Sequence, residues 1–298
     1  MVDRLMEDRI IQRLMRWAER QETVRAMLLT STRTRPDTHR DLFSDYDVIL
    51  AVTDIHPFFE DRAWLEDFGQ VLVLYRDPIQ LEYGVERFAY ITQYKDGLKI
   101  DFTLWPVEML SQVVNAPELP DYLDVGYTVL LDKDGGTAGL RPPTYNAHIP
   151  SPPSRAEFEN RIEEFFHEAT YVAKHLWRGD LMAAKYNLDQ AMKMNNLRLV
   201  LEWRIEIERG WSVKPGAYGK GLKRLLDPET WQELEDTYVG AGAQENWEAL
   251  FRTIALFRRV AIEVGEDLGY GYPRELDRRV MDYLRKVQGL DRGATSFP

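Results

Sequence analysis

Two aspartates stand two residues apart at the start of an alternating segment. Asp45 and Asp47 open the segment 45–52, whose other alternate positions are apolar or aromatic: Tyr46, Val48, Leu50 and Val52. This alternation predicts a strand with one buried face, on which residues i and i+2 point the same way with Cα atoms about 6.5–7 Å apart. Two carboxylates at that spacing can converge on a divalent cation. Hard cations such as Mg²⁺ prefer oxygen ligands and the phosphates of a nucleotide.

A third carboxylate lies in a predicted β-hairpin. The segments 88–94 and 98–104 are rich in β-forming residues, and Lys95-Asp96-Gly97 between them is a turn sequence. Asp101 stands in the middle of the second arm. Three carboxylates on adjacent strands would form a site suited to two-metal phosphoryl transfer.

The aspartate pair alone is a weak indication of metal binding. Pairs of this kind arise by chance in an acidic chain, and Asp132-Lys133-Asp134 is a second example, which we interpret as a turn. Asp45 and Asp47 are distinguished by position. They lie on a predicted strand that follows a short apolar run and a polar loop rich in Ser, Thr and Arg.

The elements around the aspartates are of mixed type. The segment 3–20 has apolar residues every four positions, which predicts an amphipathic helix, and 58–68 also has helical character. Short apolar runs at 24–29 and 71–75 predict strands. The intervening segment 30–44 is polar and predicts a loop. Strands and helices mixed in this way indicate an α+β or α/β domain over residues 1–140, and we predict the α+β class with a mixed sheet.

The second half of the chain is predicted to be helical. Five prolines within 141–154 predict an irregular linker. Beyond it, long amphipathic segments rich in helix-forming residues cover 155–177, 181–209, 228–238, 245–264 and 273–287. We therefore predict a helical domain over 155–298, to which we assign substrate binding.

Composition narrows the classes of function. The 298 residues carry a formal net charge of -11, which argues against a nucleic-acid partner and suits a cationic small molecule or a carboxylate metal site. On charge alone, a solvated acidic surface is the explanation that we favour. Without cysteine there are no disulfides and no thiolate-bound metals. No apolar run reaches the roughly 18 residues of a membrane helix, and the N-terminus lacks the pattern of a signal peptide. We expect a cytoplasmic protein with no membrane partner.

A set of short segments forms a pattern more specific than the aspartate pair. They are Arg33-Thr34, Phe43-Ser44-Asp45-Tyr46-Asp47, Val52-Thr53-Asp54-Ile55, Trp64-Leu65-Glu66-Asp67-Phe68-Gly69, Asp96-Gly97-Leu98-Lys99-Ile100-Asp101-Phe102-Thr103-Leu104, Leu131-Asp132-Lys133-Asp134, Tyr171-Val172-Ala173-Lys174 and Ala255-Leu256-Phe257-Arg258. Together they resemble the aminoglycoside 6-adenylyltransferases, which modify streptomycin. This family belongs to the nucleotidyltransferase superfamily of kanamycin nucleotidyltransferase and DNA polymerase β. The resemblance covers nearly the whole chain.

The resemblance implies a fold, a reaction and a cofactor. It implies a polymerase β-like N-terminal domain followed by a helical bundle, and transfer of AMP from ATP to an aminoglycoside hydroxyl, most specifically the 6-position of streptomycin. Such a reaction confers antibiotic resistance. It also implies Mg²⁺ as cofactor with ATP as co-substrate. Asp45 and Asp47 would chelate the metal, and Asp101 would complete the metal site or act as general base.

The resemblance also indicates nucleotide-binding residues. The superfamily's phosphate-binding turn is usually Gly-Ser, and spacing from Arg33 aligns Ser31-Thr32 with it. Thr32 keeps a hydroxyl, whereas Ser31 replaces the glycine. Either Ser31 holds a strained positive φ, or the turn has shifted to avoid it, and we favour the shifted turn. We expect Ser31, Thr32 and Arg33 at the nucleotide, with Lys174 and Lys220 as further phosphate ligands.

Several alternatives stay open at this point. The acceptor can be a molecule other than an aminoglycoside, or the protein can be a catalytically weak nucleotide-binding protein. Carboxylates that would receive a cationic acceptor include Glu82, Glu86 and Asp121. The sequence does not determine the oligomeric state.

Overall fold

The computed structural model describes residues 8–35 and 40–297. The chain divides into two compact units, with the boundary between His148 and Ile149. This division falls inside the proline-rich segment 141–154, and residues 133–154, all of them described, contain neither helix nor strand.

The first unit is built from strands and short helices. In chain order these are α1 (Arg9–Arg20), β1 (Val24–Thr30), β2 (Tyr46–Val52), α2 (His56–Glu60), β3 (Val71–Arg76), β4 (Gln80–Glu82), β5 (Val85–Tyr94), β6 (Lys99–Pro106), α3 (Val107–Asn115), α4 (Asp121–Asp124) and β7 (Tyr127–Asp132). Two 3₁₀ turns, Ser31–Thr34 and Ala63–Phe68, join them. The predicted helix over 3–20 is confirmed from Arg9 to Arg20, while its positions 3–7 lie outside the described residues.

The strands form one mixed sheet. Within the described residues its order is β3-β5-β6-β2-β1-β7, and β4 pairs with β5. The pair β2–β6 is parallel, whereas β1–β2, β1–β7, β3–β5, β4–β5 and β5–β6 are antiparallel. The predicted hairpin is confirmed as β5 and β6. In this strand order β6 lies near the centre of the sheet, directly beside β2.

Both faces of the sheet are covered, but unequally. On one face the alternate residues Tyr46, Val48, Leu50 and Val52 of β2 join a core with α1 and the aromatic side chains of β5 and β6. On the other face Ile49, Ala51 and Trp105 pack with Met109, Leu110 and Val113 of α3. The second core covers the carboxyl ends of β2 and β6. The amino ends, where the aspartates stand, are outside it.

The second unit is helical. Its helices are α5 (Arg155–Arg178), α6 (Leu181–Lys185), α7 (Arg198–Glu208), α8 (Leu222–Leu225), α9 (Pro228–Glu235), α10 (Ala243–Leu268) and α11 (Arg274–Gln288). Ser154 and Glu157 form a capping box at the start of α5, and Gly179 ends that helix in the left-handed conformation with φ 84°. The predicted α+β class with a helical second half is confirmed.

The predicted helix over 181–209 differs in detail from the structure. Between α6 and α7 the chain forms a π-helix over Tyr186–Leu197. This wider turn carries a fully buried lysine, Lys193, whose Nζ donates to Asp189 Oδ1 at 2.8 Å and to the Thr237 carbonyl at 2.6 Å. Apolar periodicity predicts a helix but not its hydrogen-bond spacing.

Across residues 8–35 and 40–297, none of the helices has the length and apolar character needed to cross a bilayer.

Candidate active site

The site is organised by one register between two parallel strands. Asp47 of β2 is the direct partner of Asp101 of β6. Paired residues on neighbouring strands point to the same face, so the two carboxylates project side by side. Asp45 immediately precedes β2, and alternation places it on this face as well. The three predicted carboxylates are therefore brought together at the amino end of β2 and β6.

A lysine that we did not predict completes this cluster. The Lys99 ammonium donates to Asp45 Oδ2 at 2.5 Å and to Asp101 Oδ2 at 2.9 Å. Lys99 is two residues before Asp101 on β6, so strand alternation puts both on one face. That spacing was visible in the sequence. The bridge to Asp45 was not, because it depends on the pairing of β6 with β2.

Burial and neighbouring negative charge raise the pKa values of Asp47 and Asp101. Burial, and then the neighbouring Asp101 and Asp45, raise the pKa of Asp47 to about 6, while a hydrogen bond from Ser31 and the charge of Lys99 oppose the rise. Burial also raises the pKa of Asp101, against the opposing hydrogen bond and charge of Lys99. The cluster therefore disfavours three bare negative charges and favours a bound cation.

The donor set fits Mg²⁺ in its chemistry. It offers three carboxylates, the oxygen ligands that this ion prefers, and Asp101 Oδ1 is buried without a hydrogen-bond partner among the described residues. In the described ranges, however, no three His, Cys, Asp or Glu side chains are grouped so as to hold a metal ion. The Lys99 ammonium pairs with Asp45 and Asp101 in this cluster. The metal ligands remain a prediction.

The predicted phosphate-binding turn lies next to Asp47. Ser31 begins the 3₁₀ turn after β1, and Thr30, the last residue of β1, pairs with Asp47. Ser31 has a φ of 64°, so the backbone conformation expected of the superfamily's glycine is kept by a serine. The favoured shift of this turn was therefore wrong, because the structure keeps the strained positive φ at Ser31. The Ser31 amide donates to the Gly126 carbonyl at 3.1 Å, and Thr34 Oγ1 donates to the Ser31 carbonyl at 2.8 Å.

Arg33 is engaged in positioning the chain before β2. Its Nε donates to the Asp45 carbonyl at 2.9 Å and its Nη2 to the Ser44 carbonyl at 2.6 Å. The guanidinium also stacks 3.5 Å from the centre of the Tyr46 ring and pairs with Asp8 at 3.6 Å. All three guanidinium nitrogens thus contact protein atoms. These contacts give Arg33 a role in positioning the Asp45 backbone, and its contact with nucleotide stays a prediction.

An apolar row continues from the carboxylates across the sheet. Ile91 of β5 pairs with Asp101, and Tyr75 of β3 pairs with Ile91, so all three share one face. Tyr75 is 58% exposed and Ile91 36% exposed. Val73, two residues before Tyr75, is 62% exposed. The site thus has a hydroxyl-bearing turn on the β1 side of Asp47 and an exposed apolar surface on the β5–β3 side of Asp101.

The carboxylates considered for a cationic acceptor are placed less favourably. Glu82 accepts hydrogen bonds from Arg87 Nε and from the Tyr122 hydroxyl. Arg87 balances its charge, and both donors occupy its carboxylate oxygens. Glu86 lies on the opposite face of β5, 3.6 Å from His56 Nε2. Asp121 is the first residue of α4. Contact of these carboxylates with an acceptor stays a prediction, and the sequence alone does not show which of them are already paired.

The two lysines expected at the phosphates belong to the helical unit. Lys174 lies on α5 with its Nζ 4.0 Å from the centre of the Tyr171 ring. Lys220 follows the 3₁₀ turn Ala217–Gly219 and precedes α8. Their contribution to nucleotide binding remains a prediction.

A mixed sheet with carboxylates on two adjacent parallel strands, beside a hydroxyl-bearing turn, defines the site of a nucleotidyltransferase. A family model described as streptomycin adenylyltransferase matches residues 5–287, and the chain belongs to this family. It is therefore an enzyme of the nucleotidyltransferase class, as the sequence predicted.

Individual relatives extend over nearly the whole chain. An aminoglycoside 6-adenylyltransferase of Bacillus subtilis (strain 168) is 33% identical over 272 residues, covering 89% of this chain and 92% of that protein. One from Campylobacter jejuni is 30% identical over 291 residues, covering 96% and 98%. The crystal structure of an aminoglycoside 6-adenyltransferase from Bacillus subtilis has 30% identity and a TM-score of 0.48, over 94% of this chain and 98% of that one. The predicted family is confirmed.

Proposed function

We propose that this enzyme transfers AMP from ATP to a hydroxyl of an aminoglycoside, with the 6-position of streptomycin as the first acceptor to test. The observation that carries the proposal is the pairing of Asp47 with Asp101, with Asp45 on the same face. Family membership supports the adenylyl transfer, and the names of the relatives support an aminoglycoside as acceptor. The net charge of -11 suits a cationic acceptor.

The reaction is an in-line displacement at phosphorus. The acceptor hydroxyl oxygen forms a bond to the α-phosphorus of ATP, and the bond from that phosphorus to the oxygen bridging the β-phosphate breaks. Pyrophosphate leaves with the electron pair of the broken bond, and the hydroxyl proton passes to a carboxylate, for which Asp101 is our candidate. Asp45 and Asp47 would hold Mg²⁺, with Asp101 as a third ligand if it is not the base, and bound Mg²⁺ supplies positive charge that stabilises the phosphates in the transition state.

The order of the strands suggests where each substrate lies. Ser31 and Thr32 follow β1, on one side of Asp47, and their hydroxyls suit the phosphates of ATP. Asp101 is on the other side, and β5 and β3 lie beyond it. We place the acceptor over Asp101 and Ile91, where its hydroxyl can reach the proton-accepting carboxylate. Because ATP is the co-substrate, the proposal also implies a cytoplasmic reaction.

A direct assay tests this function. The protein is incubated with Mg²⁺, ATP labelled at the α-phosphate and a panel of aminoglycosides that includes streptomycin, and products are separated for label and mass. We expect one labelled AMP adduct per reactive aminoglycoside, with equimolar pyrophosphate. The variant Asp47→Asn serves as the inactive control. Bound ATP without any adduct would instead favour the catalytically weak nucleotide-binding protein.

A further inference from the structure

Lys99 occupies a position that the chemistry of adenylyl transfer does not explain. Its ammonium is within hydrogen-bond distance of two of the three carboxylates proposed as magnesium ligands, at 2.5 Å from Asp45 Oδ2 and 2.9 Å from Asp101 Oδ2. Its side chain is 29% exposed, while those of Asp45 and Asp101 are 36% and 22% exposed. The contact is therefore only partly screened by solvent.

The same oxygens cannot serve Lys99 and a metal ion fully at once. An ammonium is a compact unit charge with three donors, and a magnesium ion takes oxygens of the same kind at about 2.0–2.1 Å. Both cations are attracted by the same charge, so each weakens the binding of the other. Lys99 supplies a counter-charge to two of the three carboxylates, Asp45 and Asp101.

We propose that Lys99 is an internal counter-cation, a positioning residue that holds Asp45 and Asp101 before the metal arrives and competes with that metal for them. This inference depends on the proposed function in one respect, namely that the carboxylates bind a divalent cation. It assigns Lys99 two opposing effects: it stabilises the metal-free protein, and it lowers the intrinsic affinity for the metal.

The test uses Mn²⁺ as a paramagnetic substitute for Mg²⁺, with binding measured by electron paramagnetic resonance and metal-free stability measured by thermal unfolding in chelator. The full chain is compared with Lys99→Met. Lys95→Met, which removes an exposed lysine of the β5–β6 turn, is the matched control. We expect Lys99→Met to bind Mn²⁺ about tenfold more tightly and to unfold at a lower temperature without metal. Lys95→Met should match the natural protein in both measurements.

Two further variants separate a charge effect from simple loss of packing. Lys99→Arg keeps the charge and should restore metal-free stability. The double variant Asp45→Asn with Lys99→Met removes one anion together with the cation, so it should unfold closer to the natural protein than Lys99→Met does. If Lys99→Met does not fold, the double variant still tests the proposal. A double variant as unstable as Lys99→Met would overturn the proposal.

The outcomes separate the two proposals. Equal Mn²⁺ affinity of the natural protein and Lys99→Met would overturn the competition by Lys99 and leave the metal site standing. Absence of Mn²⁺ binding in both proteins, with and without nucleotide, would overturn the metal site itself and the inference with it.

Discussion

Ser31 has a φ of 64° directly beside Asp47, because Thr30, the residue before it, pairs with Asp47 across β1 and β2. The left-handed conformation is unfavourable for a residue with a Cβ. Burial raises the pKa of Asp47, and the side chain of Ser31 opposes that rise. The turn at the end of β1 and the carboxylate on β2 are thus adjacent.

The positive φ of Ser31 predicts different behaviour of two small substitutions. Ser31→Ala removes the hydroxyl and keeps the strain, whereas Ser31→Gly removes the hydroxyl and relieves the strain. We expect Ser31→Gly to exceed Ser31→Ala in free energy of unfolding by roughly 0.5–1 kcal/mol, measured in urea. Ser31→Gly should also bind ATP at least as tightly as Ser31→Ala. An alanine variant as stable as the glycine variant would show that the turn carries no strain.

The acidity of Asp47 predicts a pH dependence of stability. Its pKa is raised from 3.8 to about 6 by burial and by Asp101 and Asp45. Between about pH 4 and pH 6 the folded protein keeps a proton that the unfolded chain has released, so this group's contribution to stability falls as pH rises through that window. The loss is complete only about one pH unit above the folded-state pKa. Neutral Asp47→Asn avoids this loss and should be more stable near pH 7.5, by on the order of 1–2 kcal/mol without metal.

Thermal unfolding in chelator at pH 4.5 and pH 7.5 checks this expectation. The difference in melting temperature between Asp47→Asn and the natural protein should be small at the lower pH and positive at the higher one. Equal melting temperatures at pH 7.5 would contradict the raised pKa. The same variant should be inactive in adenylyl transfer, since it lacks a charged ligand for the metal.

Substitution of Asp101 separates its two possible roles. As general base, Asp101→Asn should lower turnover by about 10²–10⁴ with little change in ATP binding. As metal ligand, it should also weaken binding of the metal–ATP complex. Turnover and ATP affinity measured on one preparation decide between the roles. Unchanged turnover would exclude Asp101 from the reaction.

The exposed apolar residues beside Asp101, among them Tyr75, predict an effect on KM for the acceptor only. Tyr75→Ala removes an aromatic surface on the face that carries Asp101, so we expect KM for the aminoglycoside to rise about three- to tenfold while KM for ATP is unchanged. Leu81→Ala is the matched control, because Leu81 is 75% exposed and pairs with Glu86, on the opposite face. An equal rise in KM for ATP would argue against the proposal that the acceptor, and not ATP, lies on the β5–β3 side of Asp101.

Local patterns in the sequence determined much of the first unit. Alternation over 45–52 predicted that Tyr46, Val48, Leu50 and Val52 would be buried together, and they share one core. The hairpin and the central position of Asp101 followed from β-forming residues around Lys95-Asp96-Gly97. These features are local, because the two-residue period of a strand sets which side chains share a face.

Tertiary structure decided what those side chains meet. The parallel pairing of β2 with β6 joins residues more than fifty positions apart and places Asp47 against Asp101, with Lys99 bonded to Asp45. The positioning role of Arg33 and the positive φ of Ser31 also depend on contacts outside their own segment. The two-residue period shows which face of a strand a residue is on, but it does not show which strand lies next to it. Strand pairing depends on how both faces of the sheet are buried together, which is a property of the whole unit.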